Sequence, residues 1–243
     1  MSAQDKFDVV GTATSAIEYK LGTLPERLKA FKADYKAGKP PFNAPPHIHP
    51  IMERATEELI ASGLVRNSVK EGNLAPNFQL QDQDGNQVSS IELLSQGPLI
   101  VSFYRGAWCP YCNIEIQAMN EFLPTIHSLG AKLVAISPMT PANGRRAVRK
   151  HELNFPVLSD PGNEVAAQYG LKFELPNYLI DLYKSLRNEL PAVNGDPSWT
   201  LPMPARFVVG QDGYILYSEV NPDYTHRPDP SEMLPILKKL AGS

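Results

Sequence analysis

The run PLIVSFY, Pro98 to Tyr104, leads straight into RGAWCPYCN, Arg105 to Asn113, and this junction limits the fold more than any other stretch of the chain. The run is almost continuously apolar, as expected of a strand covered on both faces. Pro110 suits the first position of a helix, so Cys109 becomes the N-cap residue and Cys112 falls in the first turn. KLVAIS, Lys132 to Ser137, reads as a second buried strand. Between them Ala118, Met119, Phe122, Leu123, Ile126 and Leu129 recur at helical spacing. Strand, helix, strand in that order implies a right-handed crossover and parallel pairing.

The surrounding sequence extends this unit. APNFQLQDQDGNQVSS predicts a β-hairpin turning at Asp84-Gly85. Ser89 and Glu92 offer a capping box for a short helix through Leu94. Downstream, Pro141 to Leu153 predicts a helix, Phe155 to Ser159 a short strand and Asn163 to Gly170 another helix. Asn177 to Leu190 predicts an inserted helix. ARFVVGQDGYILYSEV predicts a hairpin turned by Gln211-Asp212-Gly213, and SEMLPILKKLAG a closing helix with Pro235 near its start. Strands alternating with helices make an α/β protein with a central mixed sheet flanked by helices. Upstream, Leu24 to Ala37 and Pro50 to Gly63 predict two helices separated by the Pro-rich GKPPFNAPPHIHP; Ile51, Ala55, Leu59 and Ile60 share one face of the second. Residues 1–71 therefore read as a helical extension, and 72–243 as the main domain.

A chain of 243 residues with 42% apolar content can bury a real core. Its formal net charge of −3 gives no reason to expect nucleic acid or an anionic membrane as partner. No apolar run reaches membrane-spanning length, and the first twenty residues lack a secretory h-region. The expectation is a cytoplasmic protein. In a reducing compartment a pair of cysteines points to catalysis or metal binding rather than to a structural disulfide.

At the start of a helix both sulfurs meet unpaired N–H groups and the positive end of the dipole. That environment lowers a thiol pKa, and the thiolate is the nucleophile. Arg105 adds positive charge nearby. The spacing brings the two Cα atoms to about 5–6 Å, within reach of a disulfide. C-x-x-C directly after a buried strand is a redox signal. A zinc site would need two more ligands; no second C-x-x-C exists, and His47 and His49 lie in a Pro-rich loop. No metal and no cofactor is expected. Trp108 and Tyr104 read as walls of the site. Pro204 is either ordinary punctuation before a strand or a cis-proline flanking the thiols.

W-C-P-Y-C after a hydrophobic strand resembles the thioredoxin superfamily, and a longer stretch is more specific. GNLAPNFQLQDQDGNQVSS, LVAISPMTP, FPVLSDPGNEVAAQYG and ARFVVGQDGYI resemble successive segments of the peroxiredoxins, from about Gly72 to Val220. The resemblance implies a thioredoxin-like fold. It also implies a site of the form P-x-x-x-[TS]-x-x-C, which places Cys112 on the peroxide-attacking cysteine and Glu115 on an acidic position often occupied in that family. The chain departs twice: Arg105 stands for the family proline and Cys109 for the Thr/Ser. This matches a branch of peroxiredoxin-like proteins carrying C-x-x-C. The family also steadies its thiolate with an arginine near the late buried strand, for which Arg206 is the nearest candidate.

Three functions follow from these readings. In a thiol peroxidase, Cys112 attacks hydrogen peroxide or an organic hydroperoxide, Cys109 resolves the sulfenic acid as a disulfide, and thioredoxin or a similar dithiol reduces it. In a thiol–disulfide oxidoreductase, Cys109 attacks a substrate disulfide, Cys112 resolves, and Pro204 lines the groove. In a redox sensor, the pair changes state slowly and the extension or the 177–190 insertion reports it. The N-terminal helices offer a surface for a homodimer.

Overall fold

The computed structural model describes Tyr19 and residues 21–242. Two helices come first, α1 (Leu24–Lys36) and α2 (Ile48–Ser62). Thr23 and Glu26 close the capping box of α1, with the Thr23 N–H donating to the Glu26 carboxylate at 2.8 Å. Leu24, Leu28, Phe31 and Tyr35 form its buried stripe. α2 stops where Gly63 takes φ +67°, a left-handed C-cap that glycine adopts without a Cβ clash.

The hairpin β1 (Gln79–Gln81) and β2 (Gln87–Ser89) turns as expected. Asp82 organises the turn by accepting from the N–H groups of Asp84 and Asn86 at 2.8 and 2.9 Å. Ser89 then caps α3 (Ser90–Gln96). Next come β3 (Leu99–Phe103), α4 (Pro110–Ser128), β4 (Lys132–Ser137), α5 (Pro141–His151), β5 (Val157–Ser159) and α6 (Glu164–Gln168). β6 (Lys172–Glu174), α7 (Asn177–Ser185), α8 (Leu190–Asn194) and β7 (Thr200–Pro202) follow. The chain then runs through β8 (Ala205–Val209), β9 (Ile215–Val220) and α9 (Leu234–Ala241); Pro235 does not interrupt this last helix but sits in its first turn, after a separate 3-10 turn at Pro230–Met233.

The main sheet runs β2-β1-β5-β4-β3-β8-β9. β3 is an interior strand, parallel to β4 and antiparallel to β8, with Val101 opposite both Val134 and Phe207. Every residue of β3 is buried. Its side chains alternate between two cores, because successive Cβ atoms leave opposite faces of a strand. Leu99, Val101 and Phe103 enter one core with Tyr169 and Phe207; Ile100 enters the other with α1 and α4. The arrangement is an α/β thioredoxin-like fold with a mixed sheet flanked by helices.

Two expectations change. The segment 177–190 is not one helix: α7 ends at Ser185, Arg187 turns with φ +57°, and the Asn188 N–H closes on the Tyr183 carbonyl at 2.8 Å. Pro191 cannot continue a helix because it lacks an N–H, so it opens α8 instead. This excursion is bracketed by β6 and β7, which pair antiparallel as a separate two-stranded sheet absent from the sequence reading. The apolar stripe of α2 is also less covered than its spacing implied. Only Ile48 is fully buried and Ile60 is exposed, because α2 meets α7 across a groove rather than lying on the sheet. Arg54 sits 4.2 Å over the Tyr178 ring, and the Tyr178 hydroxyl donates to Glu58 at 2.5 Å.

Candidate active site

β3 ends at Phe103, and the loop from Tyr104 to Trp108 delivers the chain to α4. Gly106 takes φ +136° there, and a Cβ at this position would lie 2.7 Å from the indole nitrogen of Trp108. Only glycine lets Trp108 fold back over the loop. Three hydrogen bonds hold the loop in place. The Cys109 N–H reaches the Gly106 carbonyl at 3.1 Å, the Asn113 side-chain amide reaches the Ala107 carbonyl at 2.9 Å, and the Ala107 N–H reaches the Met139 sulfur at 3.2 Å.

Cys109 is the N-cap of α4 in extended conformation and Pro110 is its first residue, the geometry the sequence predicted. Both cysteines are free thiols and both are buried. Burial pushes the Cys109 thiol up, but the thiol of Cys112, the Arg105 guanidinium, the Cys112 backbone N–H and Arg227 together bring it down to about 6. Cys112 moves the other way: burial and the charge on Cys109 push it up, with Arg227 and then Arg105 opposing. The two sulfurs thus share one proton and one negative charge at neutral pH, with the charge on Cys109.

Arg105 is 3% exposed and packs among aromatic rings, its guanidinium 4.0 Å from the Tyr224 ring and 4.8 Å from that of Trp108. One of its terminal nitrogens donates to the Tyr183 hydroxyl, and its Nε has no partner among the described residues. Burial works against its charge, but Tyr183 and the two sulfurs keep it protonated.

The second guanidinium at the thiols is Arg227 rather than Arg206. Glu115 receives both: Arg206 at 3.0 Å on one oxygen and Arg227 at 2.8 Å on the other, with all three side chains buried. Arg206 is therefore the far member of this triad. Arg227 weighs on the sulfurs directly, and its remaining terminal nitrogen is buried without a partner among the described residues. The sequence carried little signal for Arg227, which sits in the Pro-rich HRPDP loop a long way from the motif. Tyr183 and Tyr224 were missed for the same reason.

A groove of about 1100 Å³ runs between α2 and α7 and ends on Arg105, Tyr183, Tyr224 and Pro204. The Met203–Pro204 bond is trans, so the cis-proline alternative falls away and Pro204 serves as groove wall. Trp108 stands 5.5 Å from the Tyr183 ring, as a wall of the site. On the opposite side α1 covers the first turn of α4. Phe31 meets Tyr111 edge to face at 4.7 Å, and burial, with Tyr183 and Cys109 adding to it, raises the Tyr35 hydroxyl to about 12. Among the described residues no cluster of His, Cys, Asp and Glu is arranged to hold a metal ion, and no helix is long and apolar enough to cross a membrane.

Residues 72–218 match the AhpC/TSA family. The chain is 31% identical over 115 residues to a chloroplastic peroxiredoxin Q of Triticum aestivum, covering 47% of this chain and 52% of that protein. It is 33% identical over 105 residues to peroxiredoxin Bcp of Escherichia coli K12, covering 43% of this chain and 67% of that one. The chain thus spans about half the length of the chloroplastic relatives it matches. In three dimensions it resembles peroxidoxin BcpB of Mycobacterium tuberculosis, with a TM-score of 0.56 at 23% identity over 72% of this chain and 97% of that one.

Proposed function

Because this chain belongs to the AhpC/TSA family, we propose that Cys109 and Cys112 form the redox centre of a thiol peroxidase acting on hydrogen peroxide or organic hydroperoxides. One observation carries the reading: two buried free thiols sit at the start of α4, and two buried guanidiniums, Arg105 and Arg227, bear on both of them. Positive charge fixed around a dry site stabilises both a thiolate and the alkoxide leaving a peroxide.

The shared proton sets the sequence of steps. The Cys109 thiolate takes the proton of Cys112 as the Cys112 sulfur attacks the terminal oxygen of the hydroperoxide. The O–O bond breaks, Cys112 becomes a sulfenic acid, and the alkoxide takes the proton from Cys109 and leaves as alcohol. The Cys109 thiolate then attacks the Cys112 sulfur, the S–O bond breaks, and hydroxide leaves to solvent, carrying off the negative charge of the pair and taking a proton from a buffer acid to become water. Two electrons have passed from the thiols to the peroxide, leaving a disulfide. Thioredoxin or a similar dithiol returns them. We assign residues 72–243 to the thioredoxin-like body and 1–71 to a helical extension, of which α1 covers the first turn of α4, and a reducing compartment such as the cytoplasm suits the free thiols.

The depressed pKa of Cys109 favours a second reading, a thiol–disulfide oxidoreductase in which Cys109 attacks first. Cys109→Ser separates the two, because it recreates the family's Ser-x-x-Cys pattern and removes the negative neighbour from Cys112. The peroxidase reading expects this variant to form trappable sulfenic acid on Cys112 far faster than a free thiol does. If only Cys109 oxidises, in the Cys112→Ser protein, and the wild type reduces insulin-type disulfides, the oxidoreductase reading stands instead.

A further inference from the structure

Glu219 is a partly buried carboxylate that the steps above leave without a task. It sits on β9 directly across from Arg206 on β8. Its Oε2 is buried and has no hydrogen-bond partner among the described residues. Such an atom is costly in its ionised form. The charged groups around it come from every neighbouring element: Arg227 from the loop after β9, Glu115 from α4, Arg206 from β8, Glu232 from the turn before α9, and Tyr217 on its own strand. Burial above all, and then Glu115 and Glu232, push its carboxyl up to about 7 against the pull of Arg227 and Arg206.

The cluster therefore holds two guanidiniums and one committed carboxylate, Glu115, which binds both. Glu219 is the second, uncommitted carboxylate. Arg227 is the member linked to both: it shares Glu115 with Arg206, it keeps a buried terminal nitrogen without a hydrogen bond among the described residues, as Glu219 keeps its Oε2, and its charge bears on Glu219 and on Cys112. We propose that Glu219 is a positioning residue for the thiol pair and acts through Arg227. Protonated, it leaves that guanidinium to Cys112; ionised, it competes for it. The proposal rests on the reading of the pair as a reactive centre, and it adds a proton-linked control on Cys112. Linkage is reciprocal, so a charge on the sulfurs must in turn hold the proton on Glu219.

Two measurements test it. The first follows thiolate ultraviolet absorbance against pH in Cys109→Ser protein, where Cys112 is the only thiol. Glu219→Gln should lower the pH at which Cys112 ionises by about half a unit and sharpen its titration. An unchanged curve overturns the proposal. The second needs no substitution and is immune to misfolding. Carboxyl carbon resonances of labelled wild type are titrated in the dithiol and disulfide forms. The Glu219 value should fall when the pair is oxidised and its negative charge disappears; equal values in the two forms overturn the proposal. The outcomes remain separable: a shift in Glu219→Gln with no peroxide reaction at Cys112 sinks the peroxidase reading alone, whereas rapid peroxide reaction with no shift sinks only the role of Glu219.

Discussion

Arg105 is held by rings and Arg227 by a carboxylate. Around Arg105 lie Tyr224, Trp108 and the Tyr183 hydroxyl, none of them bearing a charge. Around Arg227 lie Glu115 and Glu219, and Glu115 is already shared with Arg206. Both guanidiniums are buried beside the same sulfurs, yet they cannot act alike. No carboxylate shares the charge of Arg105, which bears more on Cys109 than on Cys112; that of Arg227 is divided between carboxylates and the same two sulfurs. The ring-held cation keeps its charge for the sulfurs, and the carboxylate-held one shares it. Aromatic faces hold a cation in place without neutralising it, which a carboxylate cannot do.

The contrast is most exposed to test at Glu115. Glu115→Gln leaves two buried guanidiniums without their anion and should cost about 3–5 kcal/mol in denaturant unfolding. A loss under about 1 kcal/mol would mean that the triad is solvated. Arg105→Met should do the reverse. With no carboxylate left behind, stability should change little, while peroxide-driven thiol oxidation at neutral pH slows by about 100-fold, on the order of 2.7 kcal/mol of lost charge stabilisation. If unfolding suffers more than the rate does, the ring-held cation is structural.

The pH dependence sharpens the same picture. Cys109 titrates at about 6 in the folded chain against an ordinary 9.0, so between these values the unfolded chain holds a proton that the folded one lacks. Stability of the reduced protein should therefore rise from about pH 6 toward pH 9 and be lost as pH falls through about 6. The upward shift of Cys112 acts only above its ordinary value, where stability should turn down again. Thermal melts across this range, read as the difference from the Cys109→Ser, Cys112→Ser double variant, check the sign. The smallest effect belongs to Tyr183→Phe, which removes one hydrogen bond from Arg105. About 1 kcal/mol, or a several-fold slower alkylation of Cys109, is expected.

What the sequence revealed follows a physical divide. β3, the N-cap at Cys109 and the start of α4 at Pro110 are set by residues within a few positions of one another, and all three were legible. So were the hairpins at Asp84-Gly85 and at Gln211 to Gly213, where turn chemistry is local. β6 and β7 were not, because three-residue strands carry no usable alternation and their pairing spans the α7–α8 excursion. The break at Arg187 was hidden by an apolar period that runs on past it. At the site, Cys109, Cys112, Arg105 and Glu115 could be named because the motif holds them together. Arg227, Tyr183, Tyr224 and Phe31 are brought in by tertiary packing, and nothing near them in the chain announces the sulfurs. Of the two alternatives the sequence left open for Pro204, the cis bond is the one the structure does not have.

Trp108 leans against the Arg105 guanidinium and stands next in the chain to Cys109. An indole so placed is a built-in lamp. Its brightness and colour depend on the cation at its face, and that cation answers to the oxidation state of the sulfurs behind it. The chain's second indole, Trp199, lies beneath Lys184 and supplies a background glow of different origin. Each oxidation or reduction of the pair should be visible as a flicker in the near ultraviolet, without any dye or coupled assay.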